Sequence, residues 1–108
     1  MINEVTLLGN VGTDPKVSGN ESSKNCTFSF ATSEKYTKTN GDVVESKEWH
    51  RIVAFGRLAE FVSKHITKGK QLYIKGKIHT RSYKDEVGVE RYVTEVIAND
   101  IKMLGKKE

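Results

Sequence analysis

Apolar and polar positions alternate along most of this chain. Val5 to Val11 is an apolar run that closes on Gly12. Asn25 to Ser33 alternates, with Cys26, Phe28 and Phe30 on one face and Thr27, Ser29 and Ala31 on the other. Lys47 to Phe55 alternates again, setting Trp49, Arg51, Val53 and Phe55 opposite His50, Ile52 and Ala54. Two longer segments follow, Gln71 to Lys84 and Glu90 to Met103. Period-two patterns rich in Val, Ile, Thr, Tyr and Phe predict strands. Arg57 to Lys68 has another rhythm. Leu58, Val62 and Ile66 recur every fourth residue, with Ala59 and Phe61 beside them. That stripe predicts a helix of about three turns, with Gly69 as its C-terminal stop. Residues 18–25 read as a polar connection, Thr37 to Asp42 as a turn built on Asn40-Gly41, and Lys84 to Gly88 as the last hairpin loop.

Three strands, one helix and two strands, two of them long enough to bend, match the OB-fold. This is an all-β, five-stranded Greek-key barrel, with the single helix between strands 3 and 4. Other small α+β folds share the order. One domain is expected over residues 1–105, leaving 106–108 as a short remnant without an acidic tail.

Composition narrows the partner. The 108 residues are 36% hydrophobic and 30% charged, with a net charge of +4. The charge is unevenly placed. Lys35 to Lys84 holds 12 basic and 4 acidic residues, or +8, and the remainder holds 6 and 10, or −4. A basic middle between acidic ends suggests a surface for a polyanion. No apolar run is long enough to cross a bilayer, and the start lacks the pattern of a secretion signal. With no signal, the triplets Asn20-Glu21-Ser22 and Asn25-Cys26-Thr27 are read as chance rather than glycosylation sites. The lone Cys26 allows no intrachain disulfide. The lone thiol fits a reducing compartment, and a cytoplasmic protein is expected. His50, His65 and His79 are scattered, and Asp85-Glu86 sits in a turn. Neither a metal-ligand spacing nor a phosphate loop is present, so no catalytic residue, metal or cofactor is expected.

The odd positions of Gln71 to Lys84 are the most informative: Tyr73, Lys75, Lys77, His79, Arg81 and Tyr83, with no acid among them. The even positions, Leu72, Ile74, Gly76 and Ile78, form the expected inner face. Trp49 and Phe55 share a face with Arg51, and Tyr36 lies in the basic segment Lys35-Tyr36-Thr37-Lys38. Cations neutralise phosphates and flat rings stack on unpaired bases. A lone Trp or Phe is ordinarily core, but aromatics in basic surroundings on separate strands favour a stacking platform.

Several segments resemble the bacterial single-stranded DNA-binding protein family. The run Glu48-Trp49-His50-Arg51-Ile52-Val53-Ala54-Phe55-Gly56-Arg57-Leu58-Ala59-Glu60 is similar to its signature. Val5 to Pro15, Ala31 to Glu34, Lys68 to Gly76, Thr80 to Tyr83 and Arg91 to Val96 also match, in order and with family spacing. The resemblance implies an OB-fold homotetramer that binds and protects single-stranded DNA, without sequence preference, in replication, recombination and repair. Its stacking positions fall on Tyr36, Trp49, Phe55 and Tyr83, the first and last standing where tryptophan is common. Phosphate contacts fall on Lys35, Lys38, Arg51, Arg57, Lys68, Lys75, Lys77 and Arg81. Ser82 stands where a basic residue is frequent, and His50 where the family has a subunit contact. The family's disordered recruiting tail has no counterpart here, so tail-mediated recruitment of other proteins is not expected. The alternative is an OB-fold assembly factor of the primosomal type, acting mainly through protein contacts. An RNA-binding module is a further one, set aside only by the resemblance.

Overall fold

The structure is a computed structural model that describes residues 1–20 and 23–105. Residues 21–22 of the polar connection, the second and third of the triplet that begins at Asn20, and the remnant 106–108 lie outside the described residues. The chain order is β1 (Val5–Val11), β2 (Lys16–Ser18), β3 (Asn25–Thr37), β4 (Val43–Phe55), α1 (Gly56–His65), β5 (Gln71–Lys84) and β6 (Glu90–Met103). The sheet runs β1-β5-β6-β4-β3-β2, and a further β1–β3 pairing closes it. The result is the five-stranded OB barrel, with the three-residue β2 added along β3 and the helix between β4 and β5.

Two long antiparallel hairpins form most of the barrel. β3 and β4 pair continuously from Asn25↔Phe55 to Thr37↔Val43. β5 and β6 pair from Leu72↔Met103 to Lys84↔Glu90, with an irregularity between Lys75 and Gly76. The hairpins meet through a short parallel contact, Ile52↔Val96 and Val53↔Ile97. β1 lies along β5 and reaches β3 only at Asn10↔Ala31 and Val11↔Phe30.

Inside, Cys26, Phe28, Phe30, Ile52, Ala54, Leu72 and Ile74 are buried together, as the alternation predicts, and Ile101 of β6 joins them. Phe28 and Phe30 meet edge to face at 6.4 Å, a favoured ring geometry. Burial pushes the Cys26 thiol above its usual pKa. Ala59, Val62 and Ile66 bring the helix end of the molecule into the same core.

Four expectations change. The helix stops at His65 rather than Lys68. Ile66 turns extended, so its side chain enters the core while its N–H still reaches Val62 O at 3.0 Å. Gly69 belongs to a separate turn over Thr67–Lys70, where its φ of 93° suits glycine. β3 and β4 each extend four residues further into their hairpin than the alternation marks, to Thr37 and from Val43. Ile78, expected inside, is 50% exposed, because β5 has run past its pairing with β1, which ends at Val5↔Gly76. The loop after β5 is as expected, held by Asp85. Its carboxylate accepts from the Val87 and Val89 N–H groups and from Arg91 Nε. The Arg91 bond, then the backbone donors, hold that carboxyl below its ordinary pKa.

Closure rests on close backbone approach at Gly9. A Cβ there would collide with the Ala31 carbonyl oxygen and sit 3.2 Å from the Phe30 ring. Gly9→Ala is therefore expected to lower the unfolding free energy by about 1–3 kcal/mol. Urea denaturation reads this directly, and an unchanged midpoint would show that the seam has room to spare.

Candidate nucleic-acid interface

The ladder registers decide which side chains share the outer face. On β4 the outward positions are Trp49, Arg51, Val53 and Phe55, opposite Ala31, Ser29, Thr27 and Asn25 of β3. On β5 they are Lys77, His79, Arg81 and Tyr83, opposite Ile97, Glu95, Val93 and Arg91 of β6. The parallel contact joins these rows into one face, with β6 between them. Trp49, Phe55 and Tyr83 remain 61%, 54% and 47% exposed, although each is a large apolar ring. Exposed rings of this size on one face mark an interaction surface.

Three adjoining depressions divide that face, and Arg51 lines all of them. The first, about 600 Å³, lies between Trp49, Arg51, Asp14, Lys16 and Thr27. The second runs past Phe55, His79, Arg81 and Glu95. The third is bounded by Arg51, Arg81, Tyr83 and Val93. A track therefore leads from Trp49 across Arg51 to both Phe55 and Tyr83.

Glu95 organises the cations. Its carboxylate accepts from Arg51 Nε at 3.2 Å and from Arg81 Nε at 3.1 Å. The Glu95 side chain is only 6% exposed, whereas Arg51 and Arg81 are 46% and 44% exposed. Sequence reasoning missed Glu95. Its signal was an isolated acid at an outward position of β6, beside the basic row of β5. Trp49 is also held in place. Its ring lies against Gly12, where a Cβ would collide with Cζ3.

The other candidates are more dispersed. Tyr36, 51% exposed, lies opposite Val44 on the hairpin face that does not carry Trp49. Lys35 shares Trp49's face and is opposite Glu45, while Lys38 closes the turn through its N–H to Asp42 O. Arg57 is exposed in the first turn of α1, beside Phe55. Lys68 donates its backbone N–H to Asp14, a wall of the first depression. Lys75 lies across the β5 irregularity, opposite Thr6 and Asp100, and its ammonium is 3.0 Å from Glu4. The Glu4 hydrogen bond is the main cause that raises its pKa. Lys75 is thus engaged at the β1 side rather than on the Arg51 track. His50 faces away from Trp49 and lies 2.9 Å from Thr32 Oγ1.

An OB barrel with rings and guanidinium groups along one open face has the form of a nucleic-acid-binding protein. Known proteins similar to this chain fall in that class. Residues 2–104 match the Single-strand binding protein family. The Single-stranded DNA-binding protein of Bacteroides thetaiotaomicron is 48% identical over 98% of this chain and 68% of its own length. Single-stranded DNA-binding protein 1 of Chlorobaculum tepidum is 41% identical, over 99% of this chain and 67% of its own. A solved structure described as the Plasmodium falciparum SSB complex with ssDNA aligns with a TM-score of 0.85 at 29% identity. It covers 97% of this chain and 96% of that one. The chain belongs to the single-strand binding protein family.

The Trp49–Gly12 contact is open to test. Gly12→Ala should tilt the indole off its seat and shift the emission of the only tryptophan, with the circular dichroism spectrum retained. Unchanged emission would mean that the contact does not set the ring's position.

Proposed function

We propose that this chain binds single-stranded DNA without sequence preference and shields it during replication, recombination and repair. The observation that carries the reading is the exposure of Trp49, Phe55 and Tyr83 around the Arg51–Arg81 pair on one face. Rings offer each base a surface to stack on, at about 1–3 kcal/mol per base, whatever the base. Arg51, Arg81 and Lys77 meet phosphates along that track, with Arg57 at its Phe55 end and Lys68 beside Asp14. Lys35 and Lys38 extend the path along the β3–β4 arm, and Tyr36 offers a further ring on the other face of that arm. Lys75, bound to Glu4, is a secondary contact. The domain assignment over residues 1–105 goes with this reading, as does a cytoplasmic location. Among the described residues no helix is long and apolar enough to cross a membrane.

Titration with poly(dT), followed by Trp49 fluorescence, tests the reading. Strong quenching by the single strand and little by duplex is expected. The log–log salt slope should be near −0.7 per phosphate neutralised. Trp49→Ala should weaken binding by about 1–3 kcal/mol, measured with a labelled oligonucleotide. Equal response to duplex and single strand would favour a barrel that acts through protein contacts instead.

Assembly as a homotetramer is part of the proposal. Supporting it, β1 pairs with β3 only at Asn10 and Val11, so Val5 to Leu8 has one edge unpaired among the described residues. Leu8 is 57% exposed beside Tyr73. Light scattering should give a mass about four times the 12.2 kDa chain. A monomer mass at working concentration would remove this part of the reading.

A further inference from the structure

We propose that Glu95 is a positioning residue for DNA binding, which holds Arg51 and Arg81 in the poses that receive phosphates. The inference rests on the single-stranded DNA reading above. An acid on a face that binds a polyanion is paradoxical on charge alone, since its field opposes the ligand. The geometry resolves the paradox. Glu95 is buried under two half-exposed arginines and engages each through Nε. The four N–H groups on Nη1 and Nη2 of each guanidinium remain beyond that one bond. A free arginine side chain samples many rotamers, and a phosphate that binds it must arrest them. Here the arrest precedes the ligand.

The placement adds to this. Arg51 comes from β4 and Arg81 from β5, while Glu95 lies on β6 between them. One carboxylate therefore sets the relative position of cations from two hairpins. Arg51 lines all three depressions of the track, so its pose affects the path at Trp49, Phe55 and Tyr83 alike. His79, directly opposite Glu95 in the ladder, lines the same middle depression.

A carboxylate that only stabilises the barrel and one that positions the arginines predict opposite signs. Glu95→Gln removes a negative charge from the DNA face. If Glu95 acts only on stability, the folded variant binds poly(dT) as tightly as the native chain or more tightly. If it positions the arginines, the folded variant binds roughly five- to tenfold more weakly. Its salt slope also flattens by about 0.7 for each phosphate that is no longer neutralised. Trp49 quenching reads the binding and circular dichroism reads the fold. Should the Gln variant fail to fold, Glu95→Asp keeps the charge but is one methylene too short to reach both Nε atoms. The same weakening is then expected. A third measurement needs no variant. In the native chain, the Nε protons of Arg51 and Arg81 should exchange with water more slowly than that of the exposed Arg57. Exchange as fast as that of Arg57 would overturn the proposal, as would native-like or tighter binding by either folded variant. If the native chain itself fails to bind poly(dT), the functional reading falls and this inference falls with it.

Discussion

The structure depends on the seam where its two long hairpins meet. Each hairpin is a long antiparallel ladder, that of β5 and β6 interrupted once between Lys75 and Gly76, yet β4 and β6 are paired only at Ile52↔Val96 and Val53↔Ile97. Parallel pairing is slightly weaker per residue than antiparallel pairing, so a seam this short needs support from both sides. On the inner side, Ile52 and Val96 are buried in the core. On the outer side, the Arg51–Glu95 ion pair crosses the same seam one residue away. The fold and the candidate binding face therefore share one structural element. Side chains that pack below the seam hold the barrel, and those tied above it set the spacing of the cations.

One-sided burial explains which parts of the fold were legible in the sequence. Cys26, Phe28 and Phe30 alternate with half-buried Thr27, Ser29 and Ala31 because one face meets the core and the other is partly open to water. The outer halves of β3 and β4 have water on both faces. Residues 34–37 and 43–46 therefore carry no alternating apolar pattern, although their backbones are fully paired. Ile78 shows the converse. It keeps the parity of the inner face where β1 no longer lies alongside the strand. The helix end was misread because Ile66 fits the stripe of Leu58 and Val62 in sequence. It reaches the same core from extended backbone. β2 is three exposed residues, too short and too polar to leave a periodic signal.

The site was legible in part for the same reason. Strand parity alone groups Trp49, Arg51 and Phe55, and separately Arg81 and Tyr83. That these two rows share one face across β6 depends on the β4–β6 contact, a long-range pairing that no local pattern encodes. Charge counting is weaker still. It treats Lys75 and Arg81 as equal, although one is engaged by an exposed Glu4 near the chain start and the other by a buried Glu95 on the face itself.

The proposed indifference to base sequence fits what this face presents. Stacking uses the flat surface that every base has, and guanidinium groups read phosphates, which carry no sequence. Discrimination between bases would require donors and acceptors aimed at base edges and backed by rigid surroundings. The constraints at this face act on other groups. Gly12 seats the Trp49 ring, and Glu95 ties Arg51 and Arg81. A single strand loses its own conformational freedom when it binds. A surface whose rings and cations are already ordered adds little further entropy loss. On this account the order of the face supports affinity, and the generic chemistry of its groups leaves the sequence unread.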